Sequence, residues 1–321
     1  MNATQMAKKQ KSEIWQKLTA PLALVIMVIV FSLSSQYFLR VDNIMTIAHQ
    51  TAVTAITAYG MTFVIVSGCV DLSVGSSIAF SGVLVALMLQ KGSPIWLALI
   101  VTLLVGALVG GLNGFMVGKM KLPPFIATLG MQMVLRGLAM IVSDAKSVYI
   151  QNVPSFKELT HYRIFETIPL PVIYIIVLGV IAAFLLRKTV IGRNVFAVGS
   201  NEEAARLSGI QVLKIRIFAY GFSGLMAAAA GIILCSRVTS GQPGIAQGYE
   251  ANAIASAVIG GASMRGGHGS ISGSVLGAFI LGVLMNGLNL LNVNQNWQTF
   301  ATGLVVILAV WVDKMRTPTK S

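Results

Sequence analysis

Long apolar runs, separated by short polar breaks, constrain this chain more than any other feature. A helix rises about 1.5 Å per residue, so about 20 apolar residues cross a hydrocarbon core about 30 Å thick. Only 10% of the residues are charged, whereas soluble domains usually carry about 25%. We therefore predict an all-α polytopic membrane protein of about ten transmembrane helices. The predicted spans lie near 20–39, 46–67, 72–90, 94–118, 124–142, 169–187, 214–236, 249–264, 270–290 and 297–313.

The distribution of lysine and arginine predicts the orientation of these spans. Cytoplasmic loops carry an excess of both residues. With both termini cytoplasmic, sixteen of them lie inside and one lies within a span. The six outside are Arg40, Lys91, Lys146, Lys157, Arg163 and Arg237. This bias accounts for the net charge of +13 without the clustered basic face that a nucleic-acid-binding protein needs, so no nucleic-acid partner is expected.

The connections predict one membrane domain with two long loops. We place a cytoplasmic segment at 1–19, a transmembrane domain at 20–313 and a cytoplasmic tail at 314–321. The long loops are 143–168 outside and 188–213 inside. Gly111–Gly114 resembles Asn286–Asn289, which points to an inverted repeat of the kind common in transporters.

Paired glycines predict close helix packing. Gly106 and Gly110 are four residues apart in one apolar run, and Gly273 and Gly277 repeat that spacing in another. Small residues at this spacing let helices approach closely in lipid. The pattern indicates a polytopic bundle without identifying which one.

A polar break separates the second and third spans. Ser67, Asp71 and Ser73 lie within a few residues that leave little room for an ordinary loop. Irregular backbone near a membrane is tolerated only where protein or a water-filled cavity satisfies it. Two roles stay open for Asp71: a cap on the following helix, or contact with a transported solute or a gate.

The inside loop has the pattern of a short capped helix. Ser200 or Asn201 is placed to cap it, Glu202 and Glu203 occupy its first turn, and Gly209 is placed to end it. Caps at both ends favour a defined surface for docking a soluble partner rather than an unstructured loop.

Four segments of the chain form a recognisable combination: GMTFVIVSGCVDLSVGS at 60–76, PPFIATLGM at 123–131, GRNVFAVGSNEEAARLSGI at 192–210, and YEANAIASAVIGGASMRGGHGSISGSVLGAFILGVLMNGLNLL at 249–291. Together they resemble the permease subunits of ATP-binding-cassette sugar importers of the ribose, galactose, xylose and arabinose group. The resemblance runs from about residue 20 to 313 and is strongest to ribose permeases. It implies a permease that imports ribose or a related monosaccharide across a bacterial inner membrane.

The resemblance also implies a coupling segment. Glu203-Ala204-Ala205 followed by Gly209 matches the importer pattern EAA-x-x-x-G, although the Ile-x-Leu-Pro that often follows is absent. The implied partners are an ATPase subunit on the cytoplasmic face, a periplasmic sugar-binding protein outside and a second permease copy. The implied coupling residues are Gly199, Ser200, Asn201, Glu202, Glu203, Ala204, Ala205, Arg206, Leu207, Ser208 and Gly209.

No cofactor or catalytic site is expected in this chain. A phosphate-binding loop needs G-x-x-x-x-G-K-[ST], and Gly118-Lys119-Met120 lacks both the hydroxyl residue and the first glycine. ATP and Mg²⁺ are therefore assigned to the ATPase subunit that the resemblance implies. The histidines lie in separate predicted elements, so no hydrolase arrangement and no metal site is predicted.

Polar residues inside or beside the spans are candidates for the sugar path. Such residues are costly in a membrane and are often functional, and amides both donate to and accept from sugar hydroxyls. Hydrogen bonding between helices stays open for the asparagines, and pairing with a carboxylate or carbonyl stays open for Arg136. The candidates are Ser67, Asp71, Ser73, Asn113, Gln132, Arg136, Asn286 and Asn289.

The competing interpretation is an ion-coupled secondary transporter of small polar solutes. That class typically uses several intramembrane carboxylates for proton or sodium coupling. Asp71 is almost alone here and lies at the end of a span. The sequence therefore favours the importer permease.

Overall fold

The computed structural model describes residues 20–151 and 153–316, most of which are helical. The predicted segment 1–19 and the end of the predicted tail, 317–321, lie outside the described residues. The helices are α1 Ala20–Ser34, α2 Val41–Val66, α3 Val74–Gln90, α4 Ile95–Gly118, α5 Pro124–Val142, α6 Pro154–His161, α7 Leu170–Lys188, α8 Val190–Ser200, α9 Glu202–Leu207, α10 Val212–Val238, α11 Tyr249–Ile259, α12 Ile271–Leu290 and α13 Gln295–Arg316. The strands are β1 Val148–Tyr149, β2 Arg163–Ile164, β3 Ile168–Pro169 and β4 Ser240–Gly241.

The helices follow the predicted spans. Each of the ten predicted segments contains a helix, and α4, α5, α7, α10 and α12 are long and apolar enough to cross a membrane. Two further apolar helices, α1 and α3, are shorter. The chain is thus an all-α, multi-pass membrane protein, while the count of ten spans, the positions of the termini and the inverted repeat stay predictions.

Two predicted spans extend five residues past the ends of their helices. The first helix ends at Ser34 rather than 39, and the helix predicted over 249–264 ends at Ile259. At about 1.5 Å per residue, α11 is only about 16 Å long, too short to cross a membrane alone. Its end is a Schellman turn: Gly261 adopts a φ of +91°, and the N–H of Ala262 donates to the carbonyl of Ala257 at 2.8 Å.

Helix α10 lies at the centre of the bundle, packed against α2, α3 and α4. A Cβ at Gly106 or Gly110 of α4 would collide with the backbone of α10. A Cβ at Gly277 of α12 would collide with the backbone of α11, and one at Gly273 would collide with that of Gly260 directly after α11. The close packing predicted from both glycine pairs is therefore confirmed. The tight α4–α10 seam fixes the position of the α10 face that carries the site described next.

The predicted outside loop, 143–168, is more ordered than the sequence indicated. It holds α6 and a hairpin in which β2 pairs antiparallel with β3. Its first strand, β1, pairs antiparallel with β4 at the end of α10, so Val148 lies opposite Gly241. Strands of two residues are too short to produce the alternation of apolar and polar residues from which a strand is predicted.

Candidate coupling site and polar interior

The predicted inside loop, 188–213, folds as two helices, α8 and α9, each with a side-chain cap. Thr189 Oγ1 accepts from the N–H of Gly192 at 3.1 Å and begins α8, which the sequence did not predict. Asn201 Oδ1 accepts from the N–H of Ala204 at 2.9 Å and begins α9. The predicted short helix is confirmed, and Asn201 rather than Ser200 is its cap.

The end of α9 is also as predicted. Gly209 adopts a φ of +82°, and its N–H donates to the carbonyl of Arg206 at 3.0 Å. The N–H of Ile210 donates to the carbonyl of Ala205 at 3.0 Å, which completes a Schellman motif. The left-handed backbone explains why glycine occupies this position.

One face of α9 is presented to solvent. Ala205 is buried, whereas Glu203, Arg206 and Ser208 are exposed and Leu207 is 82% exposed. Within the described residues, the Glu203 side chain makes no ion pair or hydrogen bond. This face is therefore available for a partner, and the assignment of the coupling residues stays a prediction.

Glu202, by contrast, faces the protein and joins two cations. Its Oε1 lies 3.3 Å from Lys121 Nζ and its Oε2 lies 2.9 Å from Arg216 Nη2. Partial burial by itself raises the pKa of Glu202, but hydrogen bonds and charges from Arg216 and Lys121 outweigh that effect and lower the pKa below its usual value. Glu202 is therefore ionised at neutral pH.

Arg216 connects α9 to the polar break between α2 and α3. Its side chain is only 9% exposed. While Nη2 bonds Glu202, Nη1 donates to the carbonyl of Ser67 at 2.6 Å and also reaches Ser67 Oγ and Cys69 Sγ. One buried guanidinium thus bridges the short helix α9 and the backbone of the break.

Two further residues on the same face of α10 also bond to the polar break. Tyr220 OH donates to the carbonyl of Val70 at 2.8 Å, and Ser223 Oγ donates to Asp71 Oδ2 at 2.9 Å. Residues 216, 220 and 223 are four and then three apart, so they lie on one helix face. None of the three was predicted as a site residue from the sequence, although polar residues at this spacing in an apolar helix are the signal that marks them.

Asp71 organises the start of α3. Ser73, the residue before the helix, makes no capping hydrogen bond with its own side chain, and the Asp71 carboxylate accepts from its N–H instead, which fits the capping role left open for Asp71. Asp71 Oδ1 accepts from both the N–H and the hydroxyl of Ser73, at 3.0 and 2.6 Å. The carboxylate is therefore held on both oxygens, because Ser223 binds the other one. This satisfies a buried charge at the helix start.

Asn113 of α4 joins the same network. Its Nδ2 donates to Ser73 Oγ at 2.9 Å, whereas its Oδ1 is buried without a hydrogen-bond partner. The structure thus brings together four predicted path residues: Ser67, Asp71, Ser73 and Asn113. An unpaired buried acceptor is costly, and one beside irregular backbone is typical of a functional site.

Glycines let three segments meet beside the break. The N–H of Gly267, in the loop before α12, donates to the carbonyl of Val66 at 2.8 Å. A Cβ at Gly199, the penultimate residue of α8, would collide with that same carbonyl, and a Cβ at Gly266 would lie 2.9 Å from the Gly68 backbone. The glycine-rich stretch after α11 is therefore needed for contact between the break and the coupling segment.

A cavity of about 300 Å³ opens between α9, the break and the loop after α4. Its lining includes Cys69, Lys121, Glu202 and Arg216. The ion pairs of Glu202 thus border open space.

The remaining predicted path residues lie elsewhere. Arg136 Nη1 donates to the carbonyls of Pro243 and Ile245 at 2.6 and 2.8 Å, the carbonyl pairing left open above. Asn286 exchanges two amide hydrogen bonds with Asn43, and Asn289 Oδ1 accepts from Gln298 Nε2 at 2.7 Å. Gln132 lies one turn before Arg136 on α5. The roles of Gln132, Arg136, Asn286 and Asn289 in transport stay predictions.

In the described part of the chain, no three His, Cys, Asp or Glu side chains lie close enough together to bind an ion.

Comparison with known proteins places the chain in a family. A family profile described as "Branched-chain amino acid transport system / permease component" matches residues 43–310. The chain is 42% identical to the ribose import permease protein of Haemophilus influenzae, over 91% of each protein. It is 40% identical to that of Bacillus subtilis, over 99% of this chain and 100% of the relative.

A relative with another sugar in its name also matches along nearly its full length. The L-arabinose transport system permease protein of Escherichia coli is 38% identical, over 96% of this chain and 93% of the relative. No solved structure matches the chain. Because the profile and these relatives cover almost all of the membrane helices, the chain belongs to the family of transport-system permease components.

Proposed function

We propose that this chain is the membrane permease of an ATP-driven, binding-protein-dependent importer of ribose or a related monosaccharide. The single observation that carries the mechanism is the Arg216 bridge, which joins the coupling helix α9 to the polar break. The sugar class is supported by the ribose and arabinose permeases that match over more than nine-tenths of the chain. We place ribose first because the Haemophilus influenzae and Bacillus subtilis relatives, at 42% and 40% identity, are ribose import permeases by name.

The exposed face of α9 indicates where a partner would bind. Its outer face, with Glu203 and Leu207, would dock a separate ATPase subunit that binds ATP and Mg²⁺. Movement of α9 on ATP binding would displace Glu202, and Arg216 would carry that displacement to Ser67. A sugar-binding protein would deliver the sugar at the opposite face.

The topology belongs to the same proposal. Ten spans with both termini cytoplasmic would place α9 and the break on the cytoplasmic side of a bacterial inner membrane. A single domain at 20–313 would pair with a second copy, and sugar would pass within or between the copies. The charge bias of the loops supports this orientation.

An ion-coupled mechanism is less well supported. Proton or sodium coupling needs a carboxylate that is free to exchange its ion. Both oxygens of Asp71 are instead held by hydroxyl and amide donors from Ser73 and Ser223. The arrangement fits a structural carboxylate better than a titrating one.

Uptake into proteoliposomes tests the function. The permease is reconstituted with its candidate ATPase and binding protein, and uptake of labelled ribose, arabinose, allose and leucine is measured with and without ATP. We expect ribose uptake that needs both ATP and the binding protein. Preferred uptake of leucine, or uptake that follows an ion gradient without the ATPase, would contradict the proposal.

A further inference from the structure

The segment between α10 and α11 takes a path that the sequence did not predict. Residues 237–248 were expected to form an outside loop. Instead, Gly241 lies against the backbone of Gly82 and Val83, and the carbonyl of Ala246 lies against Gly75 in the first turn of α3. Residues 75 and 82 are about two helical turns apart. The segment therefore runs into the helix bundle alongside α3, rather than crossing the bundle surface as an ordinary loop.

Irregular backbone at this depth needs hydrogen-bond partners, and Arg136 supplies them. Its Nη1 donates to the carbonyls of Pro243 at 2.6 Å and Ile245 at 2.8 Å. Non-helical backbone among membrane helices occurs only where protein or a water-filled cavity satisfies it. These two hydrogen bonds from Arg136 thus hold the segment between α5 and α3.

The segment is strained where it turns. Thr239 and Ala246 both adopt left-handed backbone, with φ values of +53° and +63°. A β-branched residue in this region is unusual, and such strain is typical of sites where geometry serves function. Strand β4, paired with β1, anchors the outer end of the segment.

The exposed groups of the segment match a neutral polyhydroxylated solute. Gly244 and Gln247 are exposed, and a Cβ at Gly244 would meet open space. Further inward, Glu250 Oε2 is buried without a hydrogen-bond partner, although Oε1 accepts from the N–H of Gly248. Amide, carbonyl and carboxylate groups together offer the donors and acceptors that sugar hydroxyls need.

We propose that Gln242–Glu250 forms a sugar-contacting wall of the translocation path, with Arg136 as the positioning residue that holds it against α3. Gln247 supplies an amide to the sugar hydroxyls, and Glu250 accepts from one when the wall moves. This inference rests on the proposed function, because it names the segment at which that importer contacts its sugar.

Cysteine accessibility tests the position of the wall. Gly244→Cys is introduced into the permease–ATPase complex, whose native Cys69 and Cys235 are buried, and a charged, membrane-impermeant maleimide is applied with and without ribose, binding protein and ATP. Leu104→Cys, at a 59% exposed position within the apolar helix α4, is the control. We expect labelling at residue 244 alone, slowed by ribose. A Gly244→Cys residue as unreactive as Leu104→Cys, or one that ribose does not protect, would overturn the proposal.

The wall residues are tested by function. Gln247→Leu is expected to lower ribose imported per ATP about tenfold, whereas Gln247→Asn keeps most of it. Arg136→Gln should speed labelling of Gly244→Cys about tenfold, and Arg136→Lys should restore the slow rate because its amine still donates to the carbonyls. Unchanged transport in Gln247→Leu would refute the sugar contact while leaving ATP-dependent uptake by the wild-type protein, and hence the proposed function, intact.

Discussion

Arg216 donates through Nη2 to Glu202 at 2.9 Å and through Nη1 to the carbonyl of Ser67 at 2.6 Å. A single buried side chain therefore links the short helix α9 with the break at the start of α3. The link continues along α10 through Tyr220 and Ser223 to Val70 and Asp71. Only the Arg216 side chain separates Glu202 of α9 from the backbone of Ser67, so a displacement of α9 would act on the polar break directly.

The two glutamates of α9 are predicted to have separable roles. Glu203 is exposed and free of partners in the described structure, so Glu203→Lys should weaken copurification of the ATPase about tenfold. Glu202 bonds Lys121 and Arg216, so Glu202→Gln should keep docking but lower sugar imported per ATP. Pull-down and transport assays on both variants check this. Equal loss of docking in the two would refute the division of roles.

The Glu202 pairs predict a pH dependence. The pKa of Glu202 is lowered in the folded protein, so its stabilising effect is present above the ordinary carboxylate pKa of about 4.3 and is lost as the pH falls through the lowered value. Import per ATP should therefore stay constant from about pH 6 to about pH 8. Comparison of wild type with Glu202→Gln across this range checks it; a loss of coupling near pH 6 confined to wild type would contradict it.

Glycines of the coupling segment should differ in tolerance. Gly209 has room for a Cβ, so Gly209→Ala costs only the left-handed strain of about 1–2 kcal/mol. A Cβ at Gly199 would collide with the carbonyl of Val66, so Gly199→Ala should reduce membrane abundance more strongly. Immunoblots of membrane fractions distinguish them. Similar abundance of the two variants would show that the contact between α8 and α2 is less tight than the structure indicates.

A matched pair on α4 tests the central seam. Gly110→Ala forces a Cβ into the α10 backbone and is expected to destabilise the bundle by about 1–3 kcal/mol. Gly111→Ala, its neighbour, meets only Ile217 Cγ2 at 3.9 Å and should be neutral. Thermal unfolding in detergent measures both, and comparable melting temperatures would refute this account of the packing.

Asp71 is predicted to act in structure rather than in ion coupling. Asp71→Ala leaves the donors of Ser73 and Ser223 unpaired at a cost of about 1–3 kcal/mol and should lower abundance. Asp71→Asn keeps an acceptor for Ser73, while the Ser223 hydroxyl can rotate to accept. Its ATP-driven uptake should therefore stay within about threefold of wild type. Abolished uptake at normal abundance of Asp71→Asn would assign the charge itself a role in transport.

Much of the fold could be predicted because membrane helices and caps are local features. Apolar runs located the helices, Asn201 and Gly209 bounded α9, and the spaced glycines marked the tight seams. The inward path of 239–248 could not be predicted. It depends on Arg136, which lies 107 residues before Pro243 in the chain. The end of α11 was missed because Ala and Gly continue past Ile259 without a change in composition.

In the candidate site too, local features could be predicted from the sequence and contacts between distant segments could not. Ser67, Asp71, Ser73 and Asn113 stood out as polar residues beside apolar runs, and the structure brings them together. Arg216 was counted among the charges that set orientation, because its partners come from distant segments. Its role depends on a contact across 149 residues of sequence with Ser67, which periodicity does not encode.

The ratio of ribose imported to ATP hydrolysed by the reconstituted complex tests the central claim most directly. Arg216→Gln is compared with wild type and with Arg193→Gln, an exposed arginine of α8 that makes no ion pair in the described structure. We predict that Arg216→Gln lowers the ratio about tenfold while ATP hydrolysis continues, and that Arg193→Gln matches wild type. An unchanged ratio in Arg216→Gln would contradict the account, because α9 would then act on the interior by another route.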